Sequence, residues 1–313
     1  MKRELEVILL ACISLLFGSC TKPIFSNGDL TERKRTLDST FQVVEMCDNV
    51  NVTLKHCDAQ HPAGLIHIKT CENLIDNINT TLEKVEYEVT VDSNKIIMPF
   101  NKLVIRNDNT FDFLRPYDYP LEMTVYYDSI LSLIFNSNAT ISTDTLRGYN
   151  YWTHFKIKTD STVYEYDSIA PNLRLEVEGG SGDFNVLTNC YRVVTKYLHG
   201  TSNVILSGNS YRSEIHGEYD CHGIIDGKDM EANSSYITYY GTNVVITKTF
   251  NRVTATNNNI GFIKYVRYKR HKNTWFPPDN EHPWGYYGDS LFSCPQHVER
   301  YGSNIENIGA YTP

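Results

Sequence analysis

Between Leu103 and Val266 the chain repeats one short phrase: an alternating strand, a corner of Gly, Asn, Asp or Ser, and a second alternating strand. Units this short cannot bury their apolar faces alone, so they must stack on their neighbours. The phrase runs through Leu103 to Phe113, Leu131 to Ile141, Phe155 to Tyr164, Leu173 to Phe184, Val193 to Leu206, Ile215 to Ile225, Ile237 to Ile246 and Val253 to Ile263. Gly180, Gly200, Gly217 and Gly241 fall 20, 17 and 24 residues apart, so the period is loose.

Within a copy the strand period is two. Leu173, Leu175 and Val177 point to one face, while Arg174, Glu176 and Glu178 point to the other. Gly, Asn and Asp tolerate the left-handed backbone that a sharp corner needs. Thr, Val, Ile, Tyr and Phe are enriched throughout, and no comparable helical periodicity follows residue 30. The expectation is an all-β chain: a right-handed β-helix-like solenoid of short irregular rungs, with an N-terminal β-hairpin region and a C-terminal cap.

Lys2 and Arg3 precede an apolar run from Val7 to Phe17, which Gly18-Ser19-Cys20 closes. The run is too short to span ~30 Å of hydrocarbon and reads as an export signal. Leu16-Phe17-Gly18-Ser19-Cys20 resembles a bacterial lipobox, in which the signal is cut before the cysteine and the thiol carries diacylglycerol; Phe17, Glu4 and Glu6 depart from the usual pattern. The expected division is 1–19 signal, 20–40 tether, 41–265 one β domain and 266–313 a capping extension. Membrane contact then comes through the lipid on Cys20, which anchors the chain to the outer membrane of the cell envelope, facing either the periplasm or the exterior.

The formal charge is −8, from 37 acidic and 29 basic residues, which disfavours nucleic acid as a partner for an exported chain. Cys47, Cys57, Cys71, Cys190, Cys221 and Cys294 remain after Cys12 and Cys20 are set aside. They are compatible with disulfides, for which the sequence leaves every pairing open, or with buried thiols.

Phe41-Gln-Val-Val44, Asn49 to Leu54, Leu65 to Ile68 and Cys71-Glu-Asn-Leu-Ile75 resemble the opening of the head GIN domain family of putative auto-transporter adhesins. Tyr119 to Tyr126 and the corner Gly180-Ser181-Gly182-Asp183 are similar to that family as well, whereas Asn136-Ser137-Asn138 and Gly241-Thr242-Asn243 lose the Gly-Ser-Gly-Asp pattern. The resemblance covers about Phe41 to Val266. It implies a β-helix-like fold in exported proteins, often lipoproteins of the Bacteroidetes type, and it carries over no catalytic residue.

No nucleophile elbow, phosphate loop, dinucleotide fingerprint or zinc-protease segment occurs. An enzymatic rival, a polysaccharide lyase or glycoside hydrolase, would draw on Asp183, Glu214, Glu218, Asp220 and Asp226, but ordinary solvated acids explain these better. His199, His216, His222 and Cys221 lack a compact metal-ligand spacing, so no metal or cofactor is expected. The aromatic tail from Trp275 to Tyr287 reads chiefly as a cap. Its alternative role is stacking sugar rings on Trp275, Trp284, Tyr286 and Tyr287. The functional expectation is a non-enzymatic, lipid-anchored surface-binding or assembly module whose partner is a glycan or another envelope protein.

Overall fold

The computed structural model describes residues 26–91, 94–109, 119–146, 148–159, 162–268, 274–276, 286–288 and 297–311. The strands in chain order are β1 (Leu30–Thr36), β2 (Val43–Asp48), β3 (Asn51–His56), β4 (Leu65–Cys71), β5 (Ile78–Val91), β6 (Asn94–Asn107), β7 (Glu122–Tyr127), β8 (Ser132–Ser137), β9 (Ile141–Thr143) and β10 (Tyr149–Thr159). They continue as β11 (Thr162–Gly179), β12 (Asp183–Gly200), β13 (Asn203–Cys221), β14 (Ile225–Tyr239), β15 (Val244–Asn257), β16 (Phe262–Tyr268), β17 (Thr274–Phe276), β18 (Tyr286–Gly288), β19 (His297–Gly302) and β20 (Ile305–Tyr311). Among the described residues one short helix, α1 (Glu72–Ile75), interrupts them. The chain is all-β, as its period of two requires.

All strands but β17 and β18 join one 18-stranded sheet, which curls because its long members bend midway and belong to two columns. In β12, Phe184 and Asn185 pair with β9, while Asn172 to Val177 of β11 pair with the second half, Arg192 to Tyr197. The next strand repeats this 20 residues on: Asp183 lies beside Asn203 and Arg192 beside Arg212, both parallel. One column therefore reads β5, β6, β2, β8, β11, β12, β13, β14, β15, β19. The other reads β1, β4, β7, β3, β9, β12, β13, β14, β15, β16, β20.

The expected opening hairpin falls elsewhere in the N-terminal region. β2 and β3 pair parallel with flanking strands, β6 and β8 for one and β7 and β9 for the other. Asp48, at φ 62°, turns the chain between them, so they form one bent layer. Local sequence looks alike in both cases, because a hairpin and a bent layer each need two alternating strands around a left-handed residue. The antiparallel hairpin is β5 with β6, and β4 lies antiparallel on β7. The repeat copy Phe155 to Tyr164 also differs: β10 and the start of β11 pair antiparallel from Tyr149 with Asn172 to Thr159 with Thr162.

Inward-facing residues form one continuous core from Phe41 to Tyr265. Phe135 and Phe184 stack across it at 4.1 Å, with Tyr127, Tyr197, Tyr239 and Tyr265 fully buried. Burying each such ring contributes roughly 1.5–3 kcal/mol relative to leaving it in water. A buried hydroxyl must find a partner. Tyr197 Oη donates to the Ser202 carbonyl at 2.7 Å, and Tyr239 Oη accepts from the Asn243 N–H at 3.2 Å, so these rings pin the corners beside them.

Corners are laddered as the composition suggests. Backbone N–H groups of Thr201, His222 and Thr242 donate to the carbonyls of Gly180, Gly200 and Cys221 at 3.0, 2.9 and 3.0 Å. Asn203 Nδ2 donates to Asp183 at 2.9 Å, and Asn243 Nδ2 to the His222 carbonyl at 2.9 Å. Gly180 and Gly200 adopt φ of 91° and 115°, whereas Gly217 sits inside β13 with no left-handed angle.

A smaller apolar cluster lies on the outer side of the first column: Val43, Phe100, Leu131 and Ile134, with Tyr87, Met98 and Tyr149 against it. The β5–β6 hairpin thus folds back over the outer surface as far as Arg174, whose guanidinium lies 5.2 Å from the Tyr87 ring centre.

Candidate functional site

Beyond Arg174, the outer side of the first column carries an ordered array. The registers align Arg192, Arg212, Ser234 and Arg252 in one row and Val194, Glu214, Tyr236, Thr254 and Glu299 in the next. Inward neighbours Val193, Ile215, Ile237 and Val253 are buried, so strand alternation turns both rows outward.

Glu214 is the hub. Arg192 donates to it through Nε at 2.9 Å and Nη2 at 2.7 Å, and Arg212 makes a second ion pair with it. Its side chain is only 9% exposed, while Arg192 keeps 37% and Arg212 keeps 45%. Burial alone would raise the Glu214 pKa, but the hydrogen bonds and charges of the two arginines outweigh it and hold the carboxyl below its ordinary value.

Tyr236 sits between the next two cations, 4.5 Å from the Arg212 guanidinium and 5.9 Å from that of Arg252. Arg252 Nη2 and Thr254 Oγ1 donate to Glu299 at 3.0 and 3.2 Å. Along the edge of the array, Tyr191 and Tyr211 stack at 5.0 Å with their planes 10° apart. Burial raises the phenol pKa of both. Neighbouring strands lie about 4.8 Å apart, so the strip from Arg192 on β12 to Glu299 on β19 is roughly 20 Å long. Along it three arginines share two carboxylates and alternate with aromatic rings.

Of the acids considered from sequence, Glu214 and exposed Glu218 flank His216 on β13, and Asp183 and Asp226 lie on other strands. Glu214 lies on the first column, and Asp226 on the second, paired with Lys228 at 3.0 Å. Asp183 is engaged by Asn203, while exposed Asp220 sits near a corner opposite His199. Cys221 is buried 3.8 Å from Tyr239 Oη, whereas His222 faces outward to Thr242 Oγ1 at 2.8 Å, so the two cannot share an ion. Trp275 pairs with Tyr287 and Phe276 with Tyr286 in a separate two-stranded ribbon; Cys20 and Trp284 lie outside the described residues. An open concavity of about 550 Å³ lies beside Arg35, Asp38 and Asn79. Arg35 there is committed to the Ile75 carbonyl at 3.1 Å and to that of Ile78.

Sequence reading missed the ladder because its members are about 20 residues apart and form no local motif. One signal was present: Tyr191-Arg192 recurs as Tyr211-Arg212, one coil later.

A family model described as putative auto-transporter adhesin, head GIN domain, matches residues 40–267. No curated protein matches significantly. Among solved structures, the chain is similar to a putative adhesin from Bacteroides fragilis, with TM-score 0.57 and 12% identity over 91% of this chain and 98% of that one. Putative adhesins from Parabacteroides distasonis and Parabacteroides merdae align with TM-scores of 0.45 and 0.43, at 11% and 15% identity, over 91% of this chain and 97% and 98% of theirs.

Proposed function

Since the chain belongs to the family of putative auto-transporter adhesins with a head GIN domain, we propose that it is a cell-envelope protein that binds a surface partner without catalysis. The observation that carries this is the Glu214 ladder. Its three arginines share two carboxylates, with Glu214 held ionised between Arg192 and Arg212 and so unfit to donate a proton at neutral pH. Half-exposed arginines interleaved with Tyr211 and Tyr236 favour a partner with anionic groups and flat faces, such as an acidic glycan.

Two finer features complete the reading. The coils are wound right-handed, which parallel connections adopt in roughly 98% of cases. The chain is moored by lipid on Cys20; because Leu30–Thr36 form β1 and pair with β4, the tether expected over residues 20–40 reduces to the residues before Leu30.

Binding of the purified chain to an array of acidic and neutral glycans tests the proposal, with Arg212→Ala and Tyr236→Ala variants alongside. Acidic ligands retained by the parent and lost by both variants support it. Depolymerisation of any polysaccharide by the parent overturns it in favour of the enzymatic rival. Metabolic labelling with palmitate tests the anchor separately: label that persists in Cys20→Ser rejects lipidation at that residue.

A further inference from the structure

β3 and β7 run parallel with His56 beside Tyr127, so the chain leaves this pair with Cys57 and Asp128 next to each other. The His56 imidazole, the Cys57 thiol and the Asp128 carboxylate bring their ligand atoms within 4.8 Å of one another. None belongs to the ladder, and they lie on β3, just after it and just after β7.

The surroundings hold the group in place. The Cys57 N–H donates to the Tyr127 carbonyl at 2.7 Å, and the His56 N–H donates to Asp144 Oδ2 at 2.6 Å. Tyr127 Oη donates to the other oxygen of the same carboxylate at 2.9 Å, and the His56 ring stands edge-on to the Tyr127 ring at 5.7 Å and 88°. Beyond Cys57, the loop returns to the strands through the Gly64 N–H and the Tyr126 carbonyl at 2.8 Å. The backbone on both sides is thereby tied down, with His56 and Cys57 half-buried and Asp128 exposed.

We propose that His56, Cys57 and Asp128 form a Zn²⁺ site that staples the end of β3 to the end of β7. The donor set decides the metal. One nitrogen, one sulfur and one carboxylate oxygen suit zinc, whereas Ca²⁺ and Mg²⁺ take oxygen ligands. Tetrahedral zinc bonds of roughly 2.0–2.3 Å set ligand atoms roughly 3.3–3.8 Å apart, so rotamer adjustment of about 1 Å closes the site and leaves a fourth position for water. Cys57 binds as the thiolate, releasing its proton to solvent, and no redox step is involved.

Titration of the tag-free chain with Zn²⁺ by calorimetry, and with Co²⁺ by absorption, tests the site. One ion per chain is expected, with a thiolate-to-cobalt charge-transfer band. Cys57→Ser should abolish the band, and His56→Ala or Asp128→Asn should weaken Zn²⁺ by more than the roughly 10–100-fold that an outer-sphere partner costs. Cys47→Ser should change neither. In the unaltered chain, saturating Zn²⁺ should protect Cys57 from iodoacetamide, as located by peptide mass spectrometry, which keeps the test independent of how the variants fold. Absence of the band, its persistence in Cys57→Ser, or equal alkylation of Cys57 with and without Zn²⁺ overturns the proposal.

Discussion

Arg192 on β12 grips Glu214 on the neighbouring β13 through two hydrogen bonds, and Arg212 closes on the same carboxylate from the other side. Because Glu214 is nearly buried, its removal leaves two cations facing each other without compensation. Glu214→Gln should cost about 2–3 kcal/mol, less than a fully buried pair because both arginines reach solvent. Its pKa is lowered by folding, so the stability it contributes is complete above the unfolded-state value and disappears as pH falls through the folded-state value. Urea unfolding should therefore show the parent and Glu214→Gln converging in strong acid. A gap that stays constant with pH would refute the charge-based account.

The two core thiols test the interior. Cys190 and Cys221 are fully buried, and burial pushes their pKa values up to about 11 and about 12. Both conditions suppress the thiolate. At pH 8, neither should react with iodoacetamide in the native chain, and both should react once urea unfolds it. Native labelling of Cys190 or Cys221, read by peptide mass spectrometry, would show that the sheet opens locally around β12 or β13.

The stack of Phe135 on Phe184 joins β8 to β12 across the core. Either Phe→Ala change should cost about 3–5 kcal/mol through lost burial and cavity formation. The double variant should fall short of the sum by roughly 0.5–1.5 kcal/mol, the worth of an aromatic pair beyond its area. Strict additivity in a denaturant cycle would mean that the rings do not touch in solution.

What could be read from the sequence follows from the range of each interaction. Alternation between Leu173 and Val177 and the corner residues around Gly180 and Gly200 are local, and the structure realises both. Stacking order is not local: β2 and β3 come early in the chain, yet they insert between β6–β7 and β8–β9, a choice made by long-range packing. The hairpin of β10 and β11 has the same alternating pattern as the parallel strands β12 and β13 and differs only in its partner. At the candidate site, Glu214 stood out as an acid, but its meaning depends on Arg192, a register neighbour one strand away. Recognition of the family rested on short motifs at Phe41 to Ile75, and a match over residues 40–267 bears it out.

Gly217 separates two reasons for glycine. At Gly180 the backbone is left-handed, at φ 91°, and an added Cβ would lie 2.1 Å from the Ser137 carbonyl oxygen, so both conformation and backbone oppose a side chain. At Gly217 the angle is unexceptional, and the added Cβ would instead meet the Tyr239 ring at 2.4 Å. The ring fills the space that the missing side chain leaves. Gly180→Ala and Gly217→Ala should each cost about 1–3 kcal/mol, the first through strain and the second through overpacking. Only the second has a removable cause. Tyr239→Leu should recover part of the Gly217→Ala loss while doing nothing for Gly180→Ala, even though it destabilises the parent by removing the bond to the Asn243 N–H. Thermal melts of the two double variants decide the matter: equal recovery in both, or in neither, would disprove the distinction.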